Sequence, residues 1–478
     1  MSRDASSRRG VTRRGFLTVA VSAIVAGVVA GVGAYYAATL SAPAGVTKTI
    51  TTTVTAATST TTTTPPPAKE APKTIKIGYV GAFTGVDAVF GQYDAWVLSY
   101  TEKAINEKGG VYLKEYDKNL PVQIVFRDSQ SDPAIASARA EELITREGVT
   151  ILTTTHDPWL TVPVITIAEK YGIPCIVSDS PIEGTSSAGP FQWSYVFFFD
   201  ESELAWAFGQ TWKNVVNKLP NKIAGGMWNN DIGGLAFMDP MIRYAREAGF
   251  TIGTTTAVPY GVKDYSDVIS KWISERVDLF IGNMIAADFN TLWRQCYAKG
   301  FRPPVATMAR AVLFPAAVEA LGGDLPVGLT TELWFSPAWP WRSSITGETA
   351  REYVERFENE TGRQWCSAVG PPHAVFEVAV DVLKRAGTLD KYKIREAIAE
   401  TNMETIMGPV NFKDFANSPV VSLISKDVPI HKNLDHFCAM PFVIGQWLKG
   451  EKWPFEIKVV YNGRYTEIPI ERELVLIK

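Results

Sequence analysis

From residue 73 onward, β-rich runs alternate with helical stretches, and this constrains the fold more than any other property of the 478-residue chain. Residues 74–80 form a short β-rich run that ends at Gly81 and Gly85, and residues 89–108 have helical spacing closed by Gly109-Gly110. Residues 122–126 read as the next strand. Asp132-Pro133 then supplies a cap and a first-turn proline for a helix over 134–147, which Gly148 stops. Further strands are predicted at 149–153, 173–178, 194–199, 222–228, 250–258, 278–282 and 304–308, nearly all followed by a helical segment. Asp200 and Glu203 make a capping-box-like start for a helix over 201–217. Such alternation implies an α/β fold with largely parallel sheets, helices on both faces, and ligands bound beyond the carboxyl ends of the strands.

After residue 328 the order loosens. Helical stretches at 348–361, 374–387 and 391–401 precede short strands near 408–412, 441–447 and 455–461. No period of 20 to 50 residues recurs, so a solenoid is excluded.

The first 72 residues differ from the rest. Thr12-Arg13-Arg14-Gly15-Phe16-Leu17 matches a twin-arginine export pattern, and no charge occurs from residue 16 to 40. About 25 residues at about 1.5 Å each would span an apolar bilayer core of about 30 Å. Ala42-Pro43-Ala44 fits a small-residue cleavage site, so the segment 1–46 is compatible with removal as a signal or with retention as an anchor. Residues 47–64 contain twelve threonines and run into Pro65-Pro66-Pro67. A stretch with so few large apolar side chains cannot offset the entropy of ordering, so 47–72 reads as a disordered linker on which the remaining chain is carried outside the cytoplasmic membrane. Threonine hydroxyls there are open to glycosylation, and Asn359-Glu360-Thr361 is a lone sequon.

Charge and cysteine content exclude several functions. With 47 Lys+Arg against 50 Asp+Glu there is no basic excess to neutralise a nucleic acid backbone. Four cysteines at positions 175, 296, 366 and 438 cannot form a CxxC redox pair or a paired-thiolate zinc site. Cys175 and Cys296 read as buried thiols, whereas Cys366 and Cys438 fall in loops where a disulfide is open. His431 and His436 are not read as metal ligands, and His373 reads as a packed histidine. No phosphate-loop, HExxH, GxSxG or dinucleotide-binding motif occurs, which lowers the expectation of an enzyme without excluding one; no cofactor, metal or catalytic residue is expected.

Ile75-Lys76-Ile77-Gly78-Tyr79-Val80-Gly81-Ala82-Phe83-Thr84-Gly85, then Gly91-Gln92, Ile105-Asn106-Glu107-Lys108-Gly109-Gly110, Arg127-Asp128 and Asp132-Pro133 resemble the opening of the leucine/isoleucine/valine-type solute-binding proteins of ABC transporters. Gly172-Ile173-Pro174, Tyr195-Val196-Phe197, Ala248-Gly249-Phe250, Asp264-Tyr265-Ser266, Arg294-Gln295 and Gly408-Pro409-Val410-Asn411-Phe412 follow in that family's order. The resemblance implies a type I periplasmic-binding-protein fold: two doubly wound Rossmann-like lobes with a three-strand hinge. They are assigned to 73–197 with 330–445 (lobe 1) and 198–329 with 446–478 (lobe 2). It also implies a monomer that closes on a small-molecule ligand and presents it to an ABC permease.

The implied ligand residues depart from the family in places. Its serine position falls at Asp157, with Thr155, His156 and Trp159 beside it; Ser178 and Ser180 keep hydroxyl donors in the next loop. In the second lobe, Asp288 stands at the family's acidic residue that meets the ligand amine, and Asn229-Asn230-Asp231 replaces an aromatic. Phe83 and Trp334 complete the expected lining, and Phe198 stands where the family has an arginine. The expected ligand is an amino acid or a related small polar amide or acid; because Asp157 would repel a ligand carboxylate unless the threonines and backbone N–H groups hold it, urea-like, short-amide and aromatic-acid ligands also stay open. Two other readings compete. A ligand-sensing module needs a path to a cytoplasmic output, yet no run of 18 apolar residues follows residue 73. An exported α/β enzyme would need an acid-base pair from His156, Asp157, Asp231 or Asp288.

Overall fold

The computed structural model describes residues 70–425 and 428–478. The export segment 1–46 and all but the last three residues of the linker 47–72 lie outside the described residues. Among the described residues no helix is long and apolar enough to cross a membrane.

Seventeen strands follow in chain order among the described residues: β1 (Ile75–Gly81), β2 (Val111–Leu113), β3 (Lys118–Leu120), β4 (Val122–Asp128), β5 (Ile151–Thr154), β6 (Cys175–Val177), β7 (Ser194–Phe198), β8 (Ile223–Asn229), β9 (Thr251–Val258), β10 (Leu279–Asn283), β11 (Val305–Ala309), β12 (Leu329–Leu333), β13 (Asn402–Thr405), β14 (Gly408–Asn411), β15 (Phe437–Ala439), β16 (Val443–Lys449) and β17 (Phe455–Tyr461). Six of them make a wholly parallel sheet in the order β15-β7-β6-β5-β1-β4. Next to its β4 edge lies β1, where Ile75, Ile77 and Tyr79 are fully buried; β1 pairs in register with β4 along its length and, over 77–80, with β5. Near-continuous burial of this kind is the pattern of a parallel strand covered on both faces. A seven-stranded sheet runs β17-β16-β12-β11-β10-β8-β9, parallel from β9 to β12 and antiparallel at β16 and β17.

The helices begin where the caps predict. Asp132 accepts from the Ala134 and Ile135 amides at 2.8 and 2.9 Å to start Pro133–Glu142, and Asp200 accepts from Glu203 to start Glu201–Lys213. Helix Gly370–Ala386, distant in sequence, covers the first sheet, with the Phe376 ring 6.1 Å from that of Tyr79. Trp212, fully buried on Glu201–Lys213, donates its indole N–H to Thr307 of β11 at 2.8 Å and ties that helix to the second sheet.

The chain passes between the sheets three times: after β7, after β12, and between β15 and β16. This matches the two doubly wound sheets and three connections of a type I periplasmic-binding fold. β12 and the first residues of β16, which the division at 329/330 and 445/446 groups with the first lobe, are strands of the second sheet.

Two details, the strand β12 and the cysteine pair, read differently in the structure. The strand Leu-Thr-Thr-Glu-Leu of β12 escapes the sequence pattern because buried Glu332 interrupts its apolar run. Cys366 and Cys438 are free, buried thiols, so the open disulfide does not form; Cys438 Sγ instead accepts from the Asn411 amide at 3.3 Å. His431 and His436 each face a different backbone carbonyl, of Ser425 and Ser194, and His373 is packed between the Thr101 and Ser343 hydroxyls. Truncating the buried anchor, Trp212→Ala, is expected to cost about 3–5 kcal/mol of stability, read as a lower urea midpoint with unchanged secondary structure.

Candidate ligand-binding site at the strand ends

In the first sheet β1 sits between β4 and β5, and in the second β8 sits between β9 and β10. At each of these points the order of winding reverses, so the loops leaving the neighbouring strands diverge and open a crevice. The residues that line both crevices come from short loops directly after the strands.

After β1, Asp128 shapes the loop. One of its oxygens accepts from the Phe83, Thr84 and Gln130 amides and the other from the Thr84 hydroxyl at 2.6 Å. The chain then packs so closely that a Cβ on Gly91 would lie 2.0 Å from the Ala82 carbonyl oxygen. Asp87 and Phe90 emerge here, partly exposed. After β5, the Thr155 hydroxyl meets Tyr79 Oη at 2.5 Å, and Tyr79 donates to Asp94 Oδ2 at 2.6 Å. His156 is fully buried; its Nδ1 accepts from the Ala82 amide at 3.3 Å, so the ring proton sits on Nε2, which faces Asp94 at 3.2 Å. Asp157, partly exposed, accepts from the Trp159 amide and opens helix Asp157–Tyr171. After β6, Ser178 donates to the Phe197 carbonyl, and Ser180 lies in a hydroxyl chain between Thr161 and Thr185.

The second sheet contributes a matching set. Asp231 caps Ile232–Glu247 through the Gly234 amide and pairs with Arg310 at 3.2 Å, while Tyr260 donates to it at 2.8 Å. Asp288 is buried and already engaged, by Asn229 Nδ2 at 2.8 Å and the Gly261 amide at 3.0 Å. Asn230 is exposed at the end of β8. The two sets meet: the Phe90 ring lies 5.5 Å from His156 and, at 4.8 Å, edge-on to Phe314, which follows β11.

Four non-glycine residues of these loops hold left-handed backbone: His156 (φ 77°), Asp157 (φ 49°), Asp179 (φ 52°) and Arg310 (φ 66°). Such conformations cost about 1–3 kcal/mol each and persist where packing imposes them, often at ligand sites. The charges are equally constrained. Burial raises the Asp179 carboxyl to about 8; His156 opposes the rise, while Asp94 and Asp157 add to it. Burial works against a proton on His156, yet Asp94 beside it, with Asp179 and Asp87, lifts its pKa above the ordinary value. Asp87 is raised by burial and by the Asp157 charge. Arg310 is held charged despite its burial by Asp231 and, across from it, Asp157.

The sequence profile of the family described as "Periplasmic binding protein" matches residues 74–422. The chain belongs to the periplasmic binding protein family. Among solved structures, this binding protein is similar to a leucine binding protein from Thermotoga maritima, at 18% identity and a TM-score of 0.64 over 81% of this chain and 99% of that one. A branched-chain amino acid transporter substrate binding protein from Streptococcus pneumoniae, in complex with isoleucine, gives 16%, 0.62, 84% and 100%. A solute binding protein of an ABC transporter from Rhodopseudomonas palustris, in complex with 3,4-dihydroxybenzoic acid, gives 14%, 0.61, 82% and 99%. Identities this low show the shared fold. Family membership makes this a solute-binding protein rather than a member of an enzyme family, and implies work outside the cytoplasm.

The residues read from the sequence divide into two groups. Thr155, His156, Ser178, Ser180, Asn229 and Asp288 are buried, and their hydrogen bonds and ion pairs to neighbouring protein groups set the loops. Phe83, Asp157, Trp159, Asn230 and Asp231 are accessible. Trp334, only 3% exposed, packs on Phe198 and Phe199 at the second passage. Sequence reasoning missed Asp87, Asp179, Tyr260, Arg310 and Phe314. Asp179 stands between two serines that were singled out, so its loop position was a usable signal; the lone Arg310 gave none.

Asp179 carries a proton in the folded state between its ordinary range and about pH 8 that the unfolded chain lacks, and Glu377, raised by burial to about 7, behaves alike. Groups raised on folding lose their contribution as pH climbs through the folded value. The thermal midpoint is therefore expected to fall between pH 5 and pH 9 in calorimetry, and Asp179→Asn is expected to make that fall shallower.

Proposed function

We propose that this protein is the solute-binding component of an ABC importer, holding a small polar solute between the strand-end loops of its two sheets and presenting the liganded form to a membrane permease. The lobes, drawn by sheet, are residues 73–198 with 334–439 and residues 199–333 with 443–478. On this reading the monomeric protein closes by movement about the three passages, and residues 1–46 export it or tether it to the membrane. The observation that carries the reading is that charged, strained loops of both sheets converge, with Phe90 against Phe314 and Arg310 within the field of Asp157.

The arrangement favours a ligand with both signs of charge. Asp157 and Asp87 offer an amine two carboxylates on the first-sheet side, and Arg310 offers a carboxylate its guanidinium on the second. Phe90, backed by the buried Phe314 ring, takes the apolar part, and Phe83, Trp159 and Asn230 stand at the rim. Asp288, whose oxygens are already taken up, acts by orienting Asn229 rather than by meeting the amine itself. The leucine and isoleucine named with two similar structures support an amino acid; the dihydroxybenzoic acid of the third supports a small aromatic acid as the alternative.

Calorimetric titration with a panel of amino acids, their amides and aromatic acids tests this. At least one panel member is expected to bind with one-to-one stoichiometry and without turnover. Arg310→Gln should weaken a carboxylate ligand at least ten-fold, about 1.4 kcal/mol, and its amide analogue much less. Absence of any binder, or accumulation of a chemical product, would contradict the proposal.

A further inference from the structure

Where the chain leaves β7 for the second sheet, three acidic side chains gather. Asp200 is completely buried; Oδ1 accepts from the Glu203 amide at 3.0 Å, whereas Oδ2 is enclosed without a hydrogen-bond partner. Glu201, also buried, accepts from the Glu183 and Gly184 amides at 2.8 and 2.9 Å. Glu183 reaches back to the Ser202 amide at 3.2 Å. One carboxylate oxygen from each of the three lies within 4.8 Å of the others. The nearby Arg464 is turned to Glu203, at 3.7 Å.

We propose that Glu183, Asp200 and Glu201 form a binding site for a hard divalent cation, calcium by preference, that fastens the loop after β6 to the first passage between the sheets. Oxygens on one calcium ion lie about 2.3–2.6 Å from it, so no two of its ligands are more than about 5 Å apart, which is the spread seen here. All three donors are carboxylates, the chemistry of calcium or magnesium rather than of zinc, which favours imidazole and thiolate. Irregular, partly pre-engaged carboxylates suit calcium's adaptable shell better than magnesium's octahedron. A cation also gives the enclosed Asp200 Oδ2 the partner that the protein does not supply, and an unpaired buried acceptor is costly. The site touches none of the residues proposed to contact solute, so it stands or falls independently of the ligand.

The full-length chain, stripped with EGTA and titrated with calcium chloride at pH 7, tests the assignment by calorimetry and thermal unfolding. One calcium per chain should bind and raise the midpoint by several degrees, with magnesium giving less than half that rise. Asp200→Asn, which keeps the capping oxygen, and Glu183→Gln, at a partly exposed position where folding is least at risk, should each weaken calcium at least ten-fold. A wild-type midpoint indifferent to calcium would overturn the proposal, as would Glu183→Gln binding calcium like wild type. An equal or larger response to magnesium would overturn the choice of ion.

Discussion

A parallel strand reaches its neighbour only by a return segment over the face of the sheet, so the carboxyl ends of all such strands collect on one edge. Everything functional in this protein depends on that constraint being applied twice. The loops after β1, β5 and β6 open from one sheet, and those after β8, β9, β10 and β11 from the other. Three passages of the chain join the sheets without interrupting either. Convergence of Phe90 and His156 with Phe314 and Arg310 follows from topology, although the four residues span more than two hundred positions of sequence.

Within those loops, buried and accessible side chains have different duties. Tyr79, Asp94, Thr155 and His156 form a buried polar cluster beside the left-handed backbone of His156 and Asp157. Asn229 and Asp288 tie together the loops after β8 and β10. Acidic groups on the first-sheet side thus stand opposite Arg310 of the second, the arrangement on which the proposed ligand rests. Neutralising the buried Asp179 by a proton lets three acidic groups share the first-sheet loops without mutual expulsion.

Most of the fold was legible because parallel α/β chains repeat one signal: apolar β-branched runs, a glycine or capping residue, then helical spacing. Ile75, Ile77 and Tyr79, the Asp132-Pro133 start and the Gly148 stop are examples, each found in place. β12 was not legible, since Thr330, Thr331 and Glu332 are polar residues buried by tertiary contacts. The hairpin of β2 and β3 was too short to show alternation. For the site, loop positions could be read by resemblance, but which residues are enclosed could not: Ser178 and Trp334 look available in sequence and are not. Arg310 was invisible because its role comes from a φ of 66° and from a partner, Asp231, seventy-nine residues away.

Closure of two lobes on a solute is the central claim, and a distance across the cleft measures it. Val86 and Lys263 are exposed, on loops of the first and second sheets, and the four native cysteines are buried. Spin labels on Val86→Cys and Lys263→Cys, read by pulsed electron resonance with and without isoleucine, acetamide or 3,4-dihydroxybenzoate, should show one shortened, narrowed distance for whichever solute calorimetry shows to bind. An unchanged distance distribution in the presence of a bound solute would contradict closure about the three passages.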